Sequence, residues 1–239
     1  MPSGALERAV ELLHHIGRQP AGPTVAELAT EAGMPTSTAY RLLAELEQHG
    51  LVSRGPDSTV ALGTRLVALG RTAEAGLHER LVEPAAAVMK ELSEEVGETV
   101  LLTAPCGLEA IVLHVVEAER HSVRLSYAQF RRGAMHRGAS GKILAAFLEP
   151  GERARLVAAV GAPGLEAELE EIRREGIAVT VAELDDGAAG VAAPILDRRE
   201  RLAAGLSVAG PIERIAPRVP ALRGAVGAAA RKVQRAYDS

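Results

Sequence analysis

The residues best suited to chemistry form a short polar series near the N-terminus, within TVAELATEAGMPTSTAYRLLAELEQHGLVSR (residues 24–54). Hydroxyl, phenol and guanidinium groups can bond phosphates and base edges when a helix N-terminus enters the major groove of DNA. We therefore predict that these residues form a ridge that contacts DNA. The last of them, Arg54, lies beside a predicted β-hairpin and reaches a phosphate. Its candidate DNA-binding residues are Thr36, Ser37, Thr38, Tyr40, Arg41 and Arg54.

Two short helices must hold this ridge. Apolar residues recur at spacings of three and four within residues 25–32 and 36–49, which predicts two amphipathic helices. Thr24 can cap the first helix, and Gly33 can take the left-handed conformation that ends it and reverses the chain. The apolar stripe of the second helix faces a small core, so the ridge lies on its opposite face.

A small β-hairpin, or wing, is predicted after the second helix. Strand-forming residues begin at Leu51 and resume over 59–62, on either side of the turn-forming sequence Gly-Pro-Asp-Ser at 55–58. A further helix over 5–16 should pack beneath the pair. The wing favours a DNA-binding helix-turn-helix, although a helical hairpin that binds another protein remains open.

The charge of this N-terminal segment is unusual for a DNA-binding domain. Residues 1–62 contain four arginines and seven acidic residues, a net charge of −3. DNA-binding domains usually carry a basic excess. We therefore expect few phosphates to be neutralised per subunit, so that two domains must act together and salt should weaken binding only gently.

Length and composition indicate a two-domain soluble protein. The 239 residues suit domains of about 60 and 160 residues. Aromatic residues make up 2% of the chain and Trp is absent, which argues against stacking platforms for single-stranded nucleic acid. A net charge of −4, one cysteine (Cys106), and no apolar signal or membrane-spanning segment predict a cytoplasmic protein with no membrane partner.

The remainder of the chain predicts a linker helix followed by an α+β domain. The helix over 65–76 carries an apolar stripe with no core of its own, which suggests a partner chain. The following pattern changes repeatedly between helical and strand periodicity, which favours a mixed or antiparallel sheet. The predicted helices are 78–96, 141–148, 152–160, 165–175 and 217–237, and the predicted strands are 99–104, 110–116, 122–127, 177–181, 190–196 and 203–209, with a turn at 105–107.

Three segments in this order resemble the IclR family of bacterial transcriptional regulators: MPTSTAYRLLAELEQHGLVSR from Met34, MHRGASGKILAAF from Met135, and GVAAPILDRRERLAAGLSVAGPIERI from Gly190. The resemblance implies a winged helix-turn-helix (1–64), a linker helix (65–78) and a GAF-like α/β effector-binding domain (79–239). It also implies a homodimer or tetramer that binds a double-stranded DNA operator and represses or activates transcription in response to a small-molecule effector.

The resemblance also implies the positions of an effector pocket. Small oxoacid sensors tend to place an acidic residue, a Cys and two Ser at four of these positions, where this chain keeps only the Ser at 207. Smaller, less polar walls leave space for a bulkier and more apolar ligand than glyoxylate or pyruvate. The implied effector-binding residues are Ala139, Ser140, Thr180, Ala188, Gly190, Ser207 and Ala209.

Other residues near this pocket have two open interpretations. Leu125 and Tyr127 could form an apolar wall or belong to the core, and Arg137 could pair with an anionic ligand group or be a solvated loop arginine. Ser140 is well placed to cap a helix beginning at Gly141. A phosphate loop over 138–142 fails, because the first glycine is too close and no Ser or Thr follows the lysine.

The main alternative is an enzyme with an N-terminal regulatory domain. The sequence contains no recognisable nucleophile with a base, no zinc-ligand spacing and no cofactor fingerprint. The acidic pair at 185–186 is beside a glycine and is more simply a turn than a metal site. We therefore predict no catalytic residue, no metal and no cofactor.

Overall fold

The computed structural model describes residues 4–19, 21–55, 58–121 and 124–237. The chain divides into two compact units, residues 1–76 and 77–239. Within the described residues, we find no helix with both the length and the apolar character needed to cross a membrane.

The N-terminal unit is a helical bundle with a two-stranded hairpin. Leu12, Leu28, Leu42 and Leu43 are completely or almost completely buried at its centre. The predicted helices and hairpin are present, with bounds shifted by a few residues. The elements are α1 (Ala5–Arg18), α2 (Val25–Glu31), α3 (Thr36–Gln48), β1 (Val52–Arg54) and β2 (Val60–Leu62).

The first helix of the pair is fixed by the cap that the sequence predicts. The Glu27 amide donates to Thr24 Oγ1 at 3.3 Å, and the Thr24 amide donates to Glu27 Oε2 at 2.8 Å. These reciprocal bonds form a capping box, and the bonds from Thr24 lower the pKa of the Glu27 carboxyl. The antiparallel wing pairs Val52 with Leu62, and its predicted turn lies partly outside the described residues.

Helix α4 (Thr64–Leu77) follows the wing, and none of its 14 residues is buried. Its apolar side chains include Val67, which is 58% exposed, and Leu69, which is 54% exposed. The apolar stripe predicted for this helix therefore has no core within its own unit.

The C-terminal unit is built on a six-stranded antiparallel sheet with helices on both faces. Helices α5 and α10 cover one face, and α6, α7 and α8 cover the other. In spatial order, the strands are β5 (Arg132–Ala134), β4 (Glu109–Val116), β3 (Thr99–Cys106), β8 (Leu202–Pro211), β7 (Ala188–Leu196) and β6 (Ala178–Val181). The helices are α5 (Glu83–Val96), α6 (Gly138–Phe147), α7 (Pro150–Val160), α8 (Leu165–Glu175), α9 (Ile212–Ile215) and α10 (Val219–Tyr237).

Several predicted elements of this unit need correction. The helix predicted from residue 78 begins as a π-helix (His78–Val82) before α5, and Pro84 lies in the first turn of α5, where a proline is tolerated. The turn placed at 105–107 is displaced, because β3 extends to Cys106. The last helix begins at Val219, after α9 and a 3₁₀ turn (Ala216–Arg218).

The strand predicted over 122–127 is wrong where the structure describes it. Ser122 and Val123 lie outside the described residues, and 124–127 have no strand pairing. Side chains hold this segment instead: Thr99 Oγ1 donates to the Leu125 carbonyl at 2.7 Å, and Glu117 accepts from Arg124 at 2.8 Å. The edge strand beside β4 is β5, which the sequence analysis missed because it is short, polar and contains a glycine.

Candidate nucleic-acid interface and ligand cavity

The predicted ridge lies on the exposed face of α3. Thr36, Ser37, Tyr40 and Arg41 are exposed, and Thr38 is half-buried. The helix can present these groups because its apolar residues, Ala39, Leu42, Leu43 and Leu46, are buried on the other side. Pro35 provides no side-chain cap at the start of α3. The first turn therefore combines hydroxyl groups with the positive end of the helix dipole, an arrangement that suits phosphate.

The structure also brings Arg54 of β1 to the ridge. Its guanidinium lies over the Tyr40 ring, 5.6 Å from the ring centroid, and its Nε donates to Glu47 Oε2 at 3.0 Å. Arg41 Nη1 similarly donates to Glu45 Oε1 at 2.7 Å. Both arginines of the ridge are thus paired with glutamates of α3, which explains how a segment of negative charge can present guanidinium groups.

The Arg41–Glu45 ion pair is weak enough to exchange for phosphate. Arg41 and Glu45 are each more than half exposed, and exposed pairs contribute only about 0–1 kcal/mol. The Arg41–Glu45 pair has the four-residue helical spacing by which the sequence could have revealed it. The Arg54–Glu47 pair joins different elements and could not be found in that way.

A cavity of about 140 Å³ lies in the C-terminal unit, between the sheet and the start of α6. Its wall is mainly small apolar side chains, together with hydroxyl groups, three guanidinium groups and two carboxylates. Two sequence candidates do not line it: Leu125, whose carbonyl accepts from Thr99, and Ser207, which lies behind Ser140 with the two Oγ atoms 2.7 Å apart. The candidates that do line it are Tyr127, Arg137, Ala139, Ser140, Thr180, Ala188, Gly190 and Ala209.

The start of α6 differs from the sequence prediction. The helix begins at Gly138, so Ser140 is inside the first turn and does not cap it. The Gly138 amide instead donates to Glu183 Oε2 at 3.1 Å. Gly138 has φ +72°, and a Cβ there would lie 2.5 Å from Leu184 Cδ1, so a glycine allows the loop after β6 to close over the helix end.

Beneath this helix end, Lys142 lies between two carboxylates. Its Nζ is 2.5 Å from Glu168 Oε1 and 2.7 Å from Glu183 Oε1, and its side chain is 7% exposed. Burial opposes ionisation, but the hydrogen bonds to the two glutamates outweigh it and raise the pKa of Lys142. Sequence reasoning missed Glu183, because nothing local to residue 183 signals a partner 45 residues earlier.

Arg131 and Arg132 also line the cavity. Arg131 lies 5.9 Å from the centroid of the Tyr127 ring, and Arg132 Nη1 is 3.2 Å from Glu109 Oε2. Burial, followed by the nearby Asp185 carboxylate, raises the pKa of the Tyr127 hydroxyl. That hydroxyl is therefore a neutral hydrogen-bonding group near neutral pH. Arg137 is exposed and donates to the Glu183 carbonyl, so it is held by the loop after β6.

Among the residues that the structure describes, no group of three or more His, Cys, Asp or Glu side chains is placed to hold a metal ion. Cys106 is exposed at the end of β3.

Family models match both units of the chain. Residues 5–56 match the IclR helix-turn-helix domain, and residues 77–235 match the C-terminal model described as bacterial transcriptional regulator IclR. The HTH-type transcriptional regulator KipR of Bacillus subtilis is 31% identical over 224 residues, which cover 89% of this chain and 88% of that relative. The other relatives compared are named as transcriptional regulators, a transcriptional repressor or an operon regulatory protein.

Solved structures agree with these matches. The Thermotoga maritima IclR structure is 28% identical with a TM-score of 0.57, and the match covers 96% of this chain and 98% of that one. An IclR family transcriptional regulator from Brucella abortus has a TM-score of 0.79 at 18% identity, covering 99% and 93%, and supports the fold alone.

Proposed function

The chain belongs to the IclR family of bacterial transcriptional regulators, and from this premise we propose that a small metabolite in its C-terminal cavity controls how tightly its N-terminal ridge binds operator DNA. The observation that carries the proposal is the cavity at the start of α6, which combines a mostly apolar wall with polar and charged groups. Such cavities are typical ligand sites.

In this proposal, the first turns of α3 enter the major groove. The exposed hydroxyls and Arg41 meet phosphates and base edges, and Arg54 meets a phosphate beside the wing. Each guanidinium exchanges its glutamate for DNA when it binds. Since the glutamates stay nearby, the net electrostatic gain per subunit is small, and specific contacts must provide most of the affinity.

We expect the protein to bind duplex DNA from upstream of its own gene or an adjacent operon, with a shallow salt dependence. Fluorescence anisotropy at several salt concentrations would measure this. The slope of log K against log salt should correspond to few released ions, at about 0.9 per neutralised phosphate. A slope near −10 would contradict the low-charge interface, and absence of binding at low salt to any upstream region would contradict the proposed function.

An effector must bind the DNA-competent and DNA-incompetent arrangements with different affinities. We expect a metabolite that fills the cavity to change operator affinity by roughly 5- to 150-fold, the usual range of such coupling. A thermal-shift screen would identify candidates, and each would then be titrated into the DNA complex. Binding in the cavity without any change in DNA affinity would separate ligand binding from regulation.

We also propose a dimer that uses the exposed face of α4. Two N-terminal units must bind the DNA together, and this requires two subunits. The apolar side chains of α4 have no partner within their own unit. Two copies of this helix can bury them together. The two ridges would then meet half-sites about one helical turn apart, or a multiple of that distance.

Replacing Leu69 by Glu should convert the dimer to monomers, because it introduces a charge into the proposed apolar contact. Sedimentation equilibrium would measure the mass of each variant. Ala75→Glu introduces the same charge at another exposed position on α4 and serves as the matched control. A monomeric wild-type protein, or a Leu69→Glu variant that stays dimeric, would rule out this interface.

A further inference from the structure

The cavity-lining residue Arg131 is held against β4 by the backbone of its loop. Its carbonyl accepts from the Val112 amide at 3.0 Å, and the Phe130 amide donates to the Val112 carbonyl at 2.7 Å. Gln129 Nε2 also donates to the Leu113 carbonyl at 2.9 Å. These hydrogen bonds to two adjacent residues of β4 determine where the Arg131 side chain begins.

The backbone of Phe130 is in a conformation that a bulky residue rarely adopts. Its φ is +64°, and its side chain is 43% exposed, so packing of the ring does not account for the conformation. Backbone strain of this kind is concentrated at ligand sites, where the surrounding structure maintains it. Here the hydrogen bonds to β4 maintain it, and the result is that the next residue, Arg131, lies in the cavity wall.

The protein does not neutralise the charge of Arg131. Among the described residues, its guanidinium contacts the Tyr127 ring, 5.9 Å from the centroid, and no carboxylate lies within ion-pair distance of it. Tyr127 also lines the cavity, and its neutral hydroxyl can donate a hydrogen bond. A guanidinium and a phenol in contact can together bind a carboxylate.

Two of the other four charged groups in the cavity wall already have partners of opposite charge. Arg132 Nη1 lies 3.2 Å from Glu109 Oε2, so this pair is neutral. Glu183 Oε1 lies 2.7 Å from Lys142 Nζ, and Lys142 also pairs with Glu168, which does not line the cavity. One lysine between two glutamates leaves this second group with one net negative charge.

The remaining two have no counter-charge in the part of the chain that the structure describes. Arg137 donates to the Glu183 backbone carbonyl, which orients its guanidinium without neutralising it. Asp185 is exposed and has no cationic partner there. The wall as a whole is therefore close to neutral, and an anion is favoured only where a guanidinium is near. Arg131 and Arg137 mark two such places.

These two places belong to different parts of the sheet. Arg137 immediately precedes α6, which packs on β7: a Cβ at Gly190 would lie 3.4 Å from Ala139 Cβ. Arg131 is bonded to β4, and β3 and β8 lie between β4 and β7. Three strand spacings of about 4.8 Å separate the two strands by about 14 Å, a distance that the arginine side chains shorten by reaching inward. A ligand with an acidic group at each end can meet both guanidiniums.

We infer that Arg131 selects an effector with two acidic groups, a short dicarboxylate with an apolar middle. One carboxylate lies at the start of α6, where the amides of the first turn and Arg137 suit an anion, and Arg131 and Tyr127 bind the other. The small apolar side chains of the wall contact the methylene chain between them. Arg131 is thus a specificity-determining residue. This inference rests on the proposed function only in treating the cavity as the effector site.

The test compares glutarate, adipate and pimelate, each with its monoamide, in which an uncharged carbamoyl group replaces one carboxylate. The two members of a pair have the same length and shape and differ in one charge. Isothermal titration calorimetry on the full chain would measure the affinities. The wild type should bind the dicarboxylate of best-fitting length about tenfold more tightly than its monoamide, because only a second carboxylate forms charge-assisted hydrogen bonds with Arg131.

The discriminating variant is Arg131→Gln, which removes the charge and keeps a hydrogen-bonding side chain. It should weaken binding of the dicarboxylate about tenfold and leave the monoamide almost unchanged, so that the preference disappears. Arg131→Lys keeps the charge without the planar fork and should retain part of the preference. Arg155→Gln is the matched control: it makes the same change in net charge on α7, outside the cavity wall, and should leave both affinities unaltered.

Circular dichroism of each variant would confirm that the fold is retained. Three results would overturn the inference: a wild type that binds the monoamides as tightly as the dicarboxylates, an Arg131→Gln variant that loses affinity equally for both, or no binding of any probe to the wild type. Failure of the proposed function appears separately, in the upstream-DNA assay. A protein that binds its operator and responds only to ligands with a single acidic group would keep the function and refute the role of Arg131.

Discussion

Replacing Arg41 by Ala should weaken operator binding by about 1–3 kcal/mol per ridge, and so by roughly 2–6 kcal/mol for a dimer that uses both. The guanidinium stands on the exposed face of α3, one residue from Tyr40. If it reads a base edge, the variant should lose discrimination at one base-pair position in each half-site. If it meets a phosphate, affinity should fall evenly across sequences.

The interpretation depends on Glu45, which accepts from Arg41 at 2.7 Å. Removing the arginine leaves this carboxylate facing the DNA, so the measured loss combines a lost contact with a new repulsion. The double variant Arg41→Ala, Glu45→Gln removes the repulsion alone, and its difference from the single variant measures that term. Arg155→Ala, on α7 of the other unit, makes the same change in net charge and should leave binding unaltered.

Competition anisotropy with a panel of single-base operator variants would measure these effects. If Arg41→Ala binds the operator as tightly as Arg155→Ala, Arg41 does not contact DNA. If the double variant recovers full affinity, Arg41 acts only by shielding Glu45.

The N-terminal unit could be predicted from sequence because its signals are local. The Thr24 cap, the glycine after α2 and the apolar stripe of α3 are all encoded within a few residues of the structure that they produce. The burial of one face of α3 then determines which side chains are exposed. Only the pairing of Arg54 with Glu47 and Tyr40 required the fold, since β1 must bring them together.

The cavity was harder to predict from the sequence, because its key contacts join distant segments of the chain. Pattern and resemblance indicated Thr180 and Ser140, but not that the loop after β6 supplies a carboxylate to the start of α6. The misplaced start of α6 has the same origin: Ser140 resembles a cap, and the group that bonds the helix end is Glu183. Leu125 and Tyr127 are strand-forming residues, but residues 124–127 make hydrogen bonds with other segments and lie outside the sheet.

Glu98 and Arg214 form another contact between distant segments. Breaking this contact is expected to cause the largest loss of stability. Glu98 has a side chain that is 1% exposed, and its two oxygens accept from Arg214 Nε at 2.6 Å and Nη2 at 2.7 Å. Gly210 makes room for the pair, because a Cβ there would lie 2.5 Å from Glu98 Oε2. The hydrogen bonds to Glu98 raise the pKa of Arg214, so its guanidinium keeps its positive charge.

Arg214→Ala should lower the free energy of unfolding by about 3–5 kcal/mol, because it leaves a buried carboxylate without its counter-charge. Urea unfolding of the full chain, followed by circular dichroism, would measure the loss. The matched control is Arg201→Ala: Arg201 also bonds a carboxylate through Nε and Nη2, that of Asp197, but its side chain is 59% exposed. Exposed pairs contribute about 0–1 kcal/mol, so the two variants should differ by several kcal/mol.

The double variant Glu98→Gln, Arg214→Ala then tests the cause of this loss. If the unpaired charge is responsible, neutralising it should restore part of the stability, because a buried amide costs less than a buried carboxylate. If instead the double variant is less stable than Arg214→Ala, the arginine acts mainly through its packing and not through its charge. A loss below about 1 kcal/mol in Arg214→Ala itself would mean that water or another cation reaches Glu98 once the guanidinium is gone.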